Sequence, residues 1–217
     1  MKAAIIVCDG IADRPIKELD RRTPLEVADT PNMDELAARG INGIADPIYP
    51  GIRAGSDTSH LAILGYDPFK VYTGRGPFEA VGMDTGLEEG DIAFRCNFAT
   101  VEGNIVKDRR AARIKDTEEL TRLINGISVP GVEVIFKSIE YRGALVFRGK
   151  GLSGNVSDSD PHVPGEPVKE VMPLDDTREA KHTADITNDF LANVQKALES
   201  SAPANMLLLR GCGIKPT

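Results

Sequence analysis

The chain has 217 residues, 41% hydrophobic and 27% charged, which is room for one large or two modest globular domains with a sizeable core. Its net charge of −7 argues against a dedicated nucleic-acid surface, although a local arginine pocket can still receive an anionic substrate. No apolar run approaches the ~20 residues of a membrane span and no signal-peptide pattern opens the chain, so the expectation is a cytoplasmic protein without a membrane partner.

Lys2 to Cys8 is a continuous apolar run closed by Asp9-Gly10. It reads as a buried parallel strand that delivers an acid at its C-terminal end, where sites form in open α/β sheets. The same Asp-Gly pair also fits a plain turn. Thr23-Pro24-Leu25-Glu26 has a threonine cap, proline at the first helical position and glutamate three residues on, a capping box. Thr30-Pro31 starts a second helix in the same way, amphipathic over Met33–Arg39 and stopped by Gly40. Ile41 to Ala45 then reads as a short strand.

A turn-rich approach, Pro50 to Gly55, leads into Ser56-Asp57-Thr58-Ser59-His60-Leu61-Ala62-Ile63-Leu64-Gly65. The pattern predicts a helix beginning at Ser56 and stopping at Gly65. A serine there is either an ordinary N-cap or a hydroxyl presented beside free amides and the positive helix end, a seat for phosphate or a developing alkoxide. The order of elements is α/β.

Tyr72-Thr73-Gly74-Arg75-Gly76-Pro77-Phe78 is glycine-rich and suits a hinge or substrate-facing loop. Asp91 to Thr100 alternates as a strand does. Val106 to Arg113 packs Lys107, Arg109, Arg110 and Arg113 together: either a charged solvated face or a grip on carboxylate and phosphate. A helix opens at Asp116. Val132–Lys137 and Gly143–Arg148 read as an antiparallel pair through Tyr141-Arg142-Gly143. Ser157-Asp158-Ser159-Asp160-Pro161-His162 is an acidic loop, which an Asx-type turn would also explain. Thr177 to Ser200 is a long amphipathic helix with Ile186, Phe190, Val194, Ala197 and Leu198 on one side, and Ala204 to Leu209 is a last strand. Cys8, Cys96 and Cys212 form no CxxC, so neither a disulfide framework nor a zinc ribbon is indicated.

Taken jointly, these stretches have an order and spacing that resemble a known family. Cys8-Asp9-Gly10, Thr23-Pro24-Leu25-Glu26, Thr30-Pro31-Asn32-Met33, Asp46-Pro47-Ile48, Gly51-Ile52-Arg53, Gly55 to His60 and Tyr72 to Ala80 are similar to the archaeal-type, cofactor-independent phosphoglycerate mutases of the alkaline phosphatase superfamily. Agreement continues through Asp91 to Thr100, Asp108-Arg109-Arg110, Tyr141-Arg142-Gly143 and Ser157 to His162.

The resemblance implies interconversion of 3-phosphoglycerate and 2-phosphoglycerate without 2,3-bisphosphoglycerate. Ser56 matches the nucleophile that becomes phosphoserine, and is also a metal-site residue. Asp9 matches a metal ligand. Two divalent ions, Mn, Mg, Co or Zn, are implied, since a free hydroxyl is a weak nucleophile. Asp108, Arg109, Arg110, Arg113, Arg142, Asp160 and His162 would face the substrate. The fold implied is α/β: a partial alkaline-phosphatase-like core with an inserted α/β cap. Residues 1–76 would belong to the core, 77–204 to the substrate-binding cap and 205–217 to a return segment.

Family members run to about twice this length, and the second half holds further metal ligands. Here His60, His162 and His182 are the only histidines. The expectation is therefore an incomplete fragment, inactive alone, whose partner is the missing C-terminal half or another copy of the chain. Two alternatives remain: another phosphomutase or phosphatase of the same superfamily, and a non-catalytic anion-binding module.

Overall fold

The computed structural model describes residues 2–52 and 54–216. The chain divides into two compact units, Met1–Pro68 and Phe69–Thr217. The division falls a few residues ahead of the expected core–cap boundary at residues 76 and 77.

The first unit contains short helices. α1 (Pro24–Val27) has the capping box written in its sequence: the Thr23 amide donates to Glu26 Oε2 at 2.6 Å and the Glu26 amide to Thr23 Oγ1 at 3.2 Å. α2 (Pro31–Arg39) starts on its proline. α3 (Ser56–Ile63) starts at the serine, with Gly55 as its N-cap. The N-cap reading of Ser56 is thereby corrected, since the residue occupies the first helical position. Arg53, in the approach to this helix, lies outside the described residues.

Neither expected strand of this unit forms. Lys2–Cys8 and Ile41–Ala45 have no ladder partner among the described residues. Ile5, Ile6 and Val7 are 65%, 82% and 46% exposed. A parallel strand exists only through hydrogen bonds to neighbours in its own sheet. Apolar composition alone does not supply them.

α4 (Pro68–Val71) begins at the division. The second unit then opens with α5 (Arg75–Gly82) and builds one antiparallel sheet. Its strands are β1 (Ile92–Glu102), β2 (Ile105–Asp108), β3 (Val132–Ile139), β4 (Arg142–Gly149) and β5 (Met206–Ile214). β1 is central. Ile92–Asn97 pairs with β4 on one side, while β5 covers Ile92–Ala99 on the other and β2 continues from Thr100. β3 completes the far edge against β4. β5 is longer than the Ala204–Leu209 stretch and is hydrogen-bonded to β1 within this unit, where a return segment was expected at 205–217.

Alternation sorts the sheet into two faces. Phe94, Cys96, Phe98, Leu145 and Phe147 belong to the main core, with α6 (Glu118–Asn125) and α7 (Arg178–Ala197) packed there through Ile124, Phe190 and Val194. Phe147 stands edge-on to both Phe94 and Phe190, at 6.1 and 5.2 Å between centroids. α7 is capped by Thr177 Oγ1, which accepts from the Ala180 amide. Ala93, Ala144 and Val146 look the other way, into a smaller cluster with Ala80 of α5.

The glycines of the 72–78 run serve contact: residues 72–74 stay outside helix and strand, as the loop reading has it, while 75–78 form the start of α5, which corrects that reading there. A Cβ on Gly76 would lie 2.0 Å from the Ala93 carbonyl oxygen, and one on Gly74, whose φ is +145°, 2.2 Å from that of Cys212. Only glycine lets α5 approach the sheet this closely.

Candidate functional site

In the first unit, Ser56 and Asp9 meet across a sequence separation of 47: Ser56 Oγ donates to Asp9 Oδ2 at 3.1 Å. Asp9 stands in the turn closed by Gly10, whose φ is +75°. Both residues are exposed. The His60 ring Nδ1 contacts the Ser56 carbonyl oxygen. Thr58 and Ser59 amides are already engaged, by Asp57 Oδ1 and the Gly55 carbonyl. Asp9 and Ser56 offer two hard oxygen donors, which fit one edge of a divalent-metal site. Among the described residues no group of three or more His, Cys, Asp or Glu converges to hold an ion. The side chains present therefore do not by themselves complete a metal centre.

In the second unit, the sequence-predicted substrate residues part company. Asp108 Oδ1 and Oδ2 accept from the Arg110 and Ala112 amides at 2.9 and 2.6 Å, which folds the chain into a tight turn with Ala111, Ala112 and Arg113 at positive φ. Arg109 is committed internally: its Nε and Nη2 reach Asp160 at 2.8 and 2.5 Å. Asp160 is buried, and burial raises its carboxyl pKa. The Arg109 hydrogen bonds and the His162 amide more than offset that, and the group ends below the usual carboxylate range. The bonds to Asp160 raise Arg109 in turn. His162, at φ +68°, places its ring on Asp158 at 3.0 Å, while Asp158 accepts from the Gly211 amide. Arg110 is exposed. Arg113 and Arg142 line a cavity of about 480 Å³ with Phe78, Glu79 and Tyr141.

The residues that sequence reasoning missed are on the α5 face of the sheet. Arg95 of β1 is directly paired with Arg210 of β5, and Asn97, two residues on, with Arg142 of β4. Arg75 enters from α5, where a Cβ on Gly211 would touch it at 3.0 Å. Arg95 Nε, Arg210 Nε and Asn97 Oδ1 are buried without a hydrogen-bond partner. Burial lowers the Arg95 pKa to about 10, helped by the Arg210 charge and opposed by Glu79. Burial likewise lowers Arg210. Buried unpaired donors are costly, and a guanidinium cluster of this kind suits an incoming oxyanion. The signal was available: the alternation of Asp91 to Thr100 puts Ala93, Arg95 and Asn97 on one face and Phe94, Cys96 and Phe98 on the other.

Residues 37–205 match the family model described as 2,3-bisphosphoglycerate-independent phosphoglycerate mutase. The chain belongs to that family. It is 52% identical over 233 aligned positions to the phosphoglycerate mutase 1 of Methanothermobacter thermautotrophicus, with 100% of this chain and 57% of the relative covered. A Methanocaldococcus jannaschii relative is 53% identical, with 99% and 56% covered. Among solved structures, a cofactor-independent phosphoglycerate mutase from Thermoplasma acidophilum aligns with a TM-score of 0.63 at 40% identity, over 96% of this chain and 58% of that one. A Pyrococcus horikoshii protein aligns with a TM-score of 0.67 at 35% identity, over 96% and 50%. The chain thus spans a little over half the length of the curated mutases it matches. The α/β class agrees with these neighbours. Among the described residues no helix is long and apolar enough to cross a membrane.

Proposed function

We propose that this chain supplies the phosphoryl-accepting serine and the anion-gripping face of a cytoplasmic phosphoglycerate mutase, which interconverts 3-phosphoglycerate and 2-phosphoglycerate without 2,3-bisphosphoglycerate. The observation that carries the reading is the Ser56–Asp9 hydrogen bond at the start of α3. The hydroxyl proton is aimed at a carboxylate, which leaves an Oγ lone pair free for phosphorus.

In the first transfer the Ser56 Oγ–P bond forms as the bond from phosphorus to the C3 oxygen breaks. The C3 oxygen keeps the electron pair and takes up a proton. In the second transfer the C2 hydroxyl oxygen bonds to phosphorus and gives up its proton as the Ser56 Oγ–P bond breaks, and Oγ keeps the electron pair and takes up a proton. Between the two, the glycerate must turn without escaping. Arg75, Arg95, Arg142 and Arg210, with Arg110 and Arg113 nearby in sequence or cavity, are the groups to retain its carboxylate. Asp108, Asp160 and His162 shape that face: Asp160 anchors Arg109, and His162 caps the same loop. The second unit is thereby the substrate-binding cap.

Two divalent ions, Mn, Mg, Co or Zn, belong to this reading, with Asp9 and Ser56 among their ligands. They supply charge stabilisation and lower the serine pKa when bound. The other ligands are proposed to come from the length of the relatives that this chain does not cover. That segment, or another copy of the chain, would also cover the exposed run around Ile5 to Val7.

The test compares the 217-residue chain with the same chain extended by the matching C-terminal part of a relative. Turnover of 3-phosphoglycerate and trapping of phosphate on residue 56 are expected only in the extended protein. Ser56→Ala should abolish both. Turnover that survives Ser56→Ala overturns the proposal, and two tightly bound ions with turnover in the short chain overturn the shared-ligand part.

A further inference from the structure

Glu79 lies in the Tyr72 to Ala80 run, on α5. It stands among the arginines just described, with Oε1 3.7 Å from Arg95 Nε and Oε2 3.8 Å from Arg75 Nε. Each carboxylate oxygen faces a different guanidinium, and both separations exceed hydrogen-bond length. Elsewhere in the same unit, arginine–carboxylate pairs close fully. Arg109 meets Asp160 at 2.5 and 2.8 Å, and Arg148 meets Asp91 at 2.8 and 3.0 Å. Glu79 therefore cancels charge without using the donors. Arg95 Nε is buried and has no hydrogen-bond partner even with Glu79 beside it.

The position is held by the backbone. Gly76 lets α5 lie against β1 so closely that any Cβ would strike the Ala93 carbonyl. Glu79 sits one turn later on that helix and lines the 480 Å³ cavity with Arg113 and Arg142. An oxyanion entering there meets the guanidinium groups of Arg113 and Arg142 while facing the fixed negative charge of Glu79, which also stands between Arg95 and Arg75.

We propose that Glu79 is the resident counter-anion of the arginine face, a residue that sets its affinity by weakening the hold on phosphate or carboxylate. This rests on the reading that the face receives the anionic groups of a phosphoglycerate. A site that must let its ligand turn and leave gains from a grip limited in this way. Removing the charge should tighten oxyanion binding by about tenfold at low ionic strength, with a steeper loss on adding salt.

The experiment measures inorganic phosphate binding by calorimetry on the full chain, as wild type, Glu79→Gln, Glu79→Ala and Arg95→Met. Native circular dichroism is checked for each, and Glu79→Ala stands in if the glutamine variant fails to fold. Tighter binding without the charge, and loss of binding in Arg95→Met, is the expected result. Equal or weaker binding in the Glu79 variants, with Arg95→Met still impaired, overturns the role of Glu79 alone. Phosphate binding indifferent to Arg95→Met overturns the anion-face reading itself.

Discussion

Lys2–Cys8 and Ile92–Glu102 are both strand-forming by composition, yet they end in opposite states. The first lies exposed and unpaired in Met1–Pro68, a unit in which no described residue is buried. The second is the central strand of Phe69–Thr217, paired on both edges and buried over nearly its whole length. The difference is one of partners. β1 finds β4 and β5 in its own unit, and two helices cover its aromatic face. An apolar run without edge partners has its backbone groups satisfied only by water.

That contrast can be attacked from its strong side first. Phe147→Ala removes a ring wedged between Phe94 and Phe190, and should cost about 3–5 kcal/mol in urea unfolding of the second unit. A loss below about 1 kcal/mol would mean that the aromatic core is not what holds this sheet.

Asp160→Asn comes next. It leaves Arg109 with a weakened partner in a buried loop, at a cost of about 2–3 kcal/mol, discounted because Arg109 is partly exposed. The pH profile adds a sign. The folded Asp160 pKa is depressed, so its contribution is present above the unfolded carboxylate pKa and is lost as pH falls through the folded value. The acid limb of stability should therefore be shallower in the variant, and an unchanged limb would contradict the pairing.

The smallest effect belongs to the other unit. Ile6→Ser replaces a residue 82% exposed and should change the stability of this chain by no more than about 0.5 kcal/mol. A loss as large as that of the core variants would show that the run is buried in solution. The same substitution in the extended protein used to test turnover should be costly if the run becomes a covered strand there.

Local chemistry was legible from residues alone wherever neighbours in sequence are neighbours in space. Thr23 and Glu26 cap α1, prolines open α1 and α2, and Thr177 caps α7. The β3–β4 pair forms where alternation put it, because its turn is short and its register local. The start of α3 at Ser56 was equally plain. The opposite holds for Arg109. Its cluster in sequence with Arg110 and Arg113 suggested one grip, but Asp160, 51 residues away, takes its Nε donor and one from Nη2. Arg95 and Arg210 were passed over because each is alone in its own stretch.

The sequence by itself determined where helices begin, which strand face is apolar, and which family the chain resembles, since these depend on spacing of a few residues. Only the tertiary structure decided that Ser56 reaches Asp9, that Arg95 lies beside Arg210, and that Glu79 faces both Arg95 and Arg75. Those meetings depend on long-range register and on glycine-permitted contacts between distant segments, which no local pattern encodes.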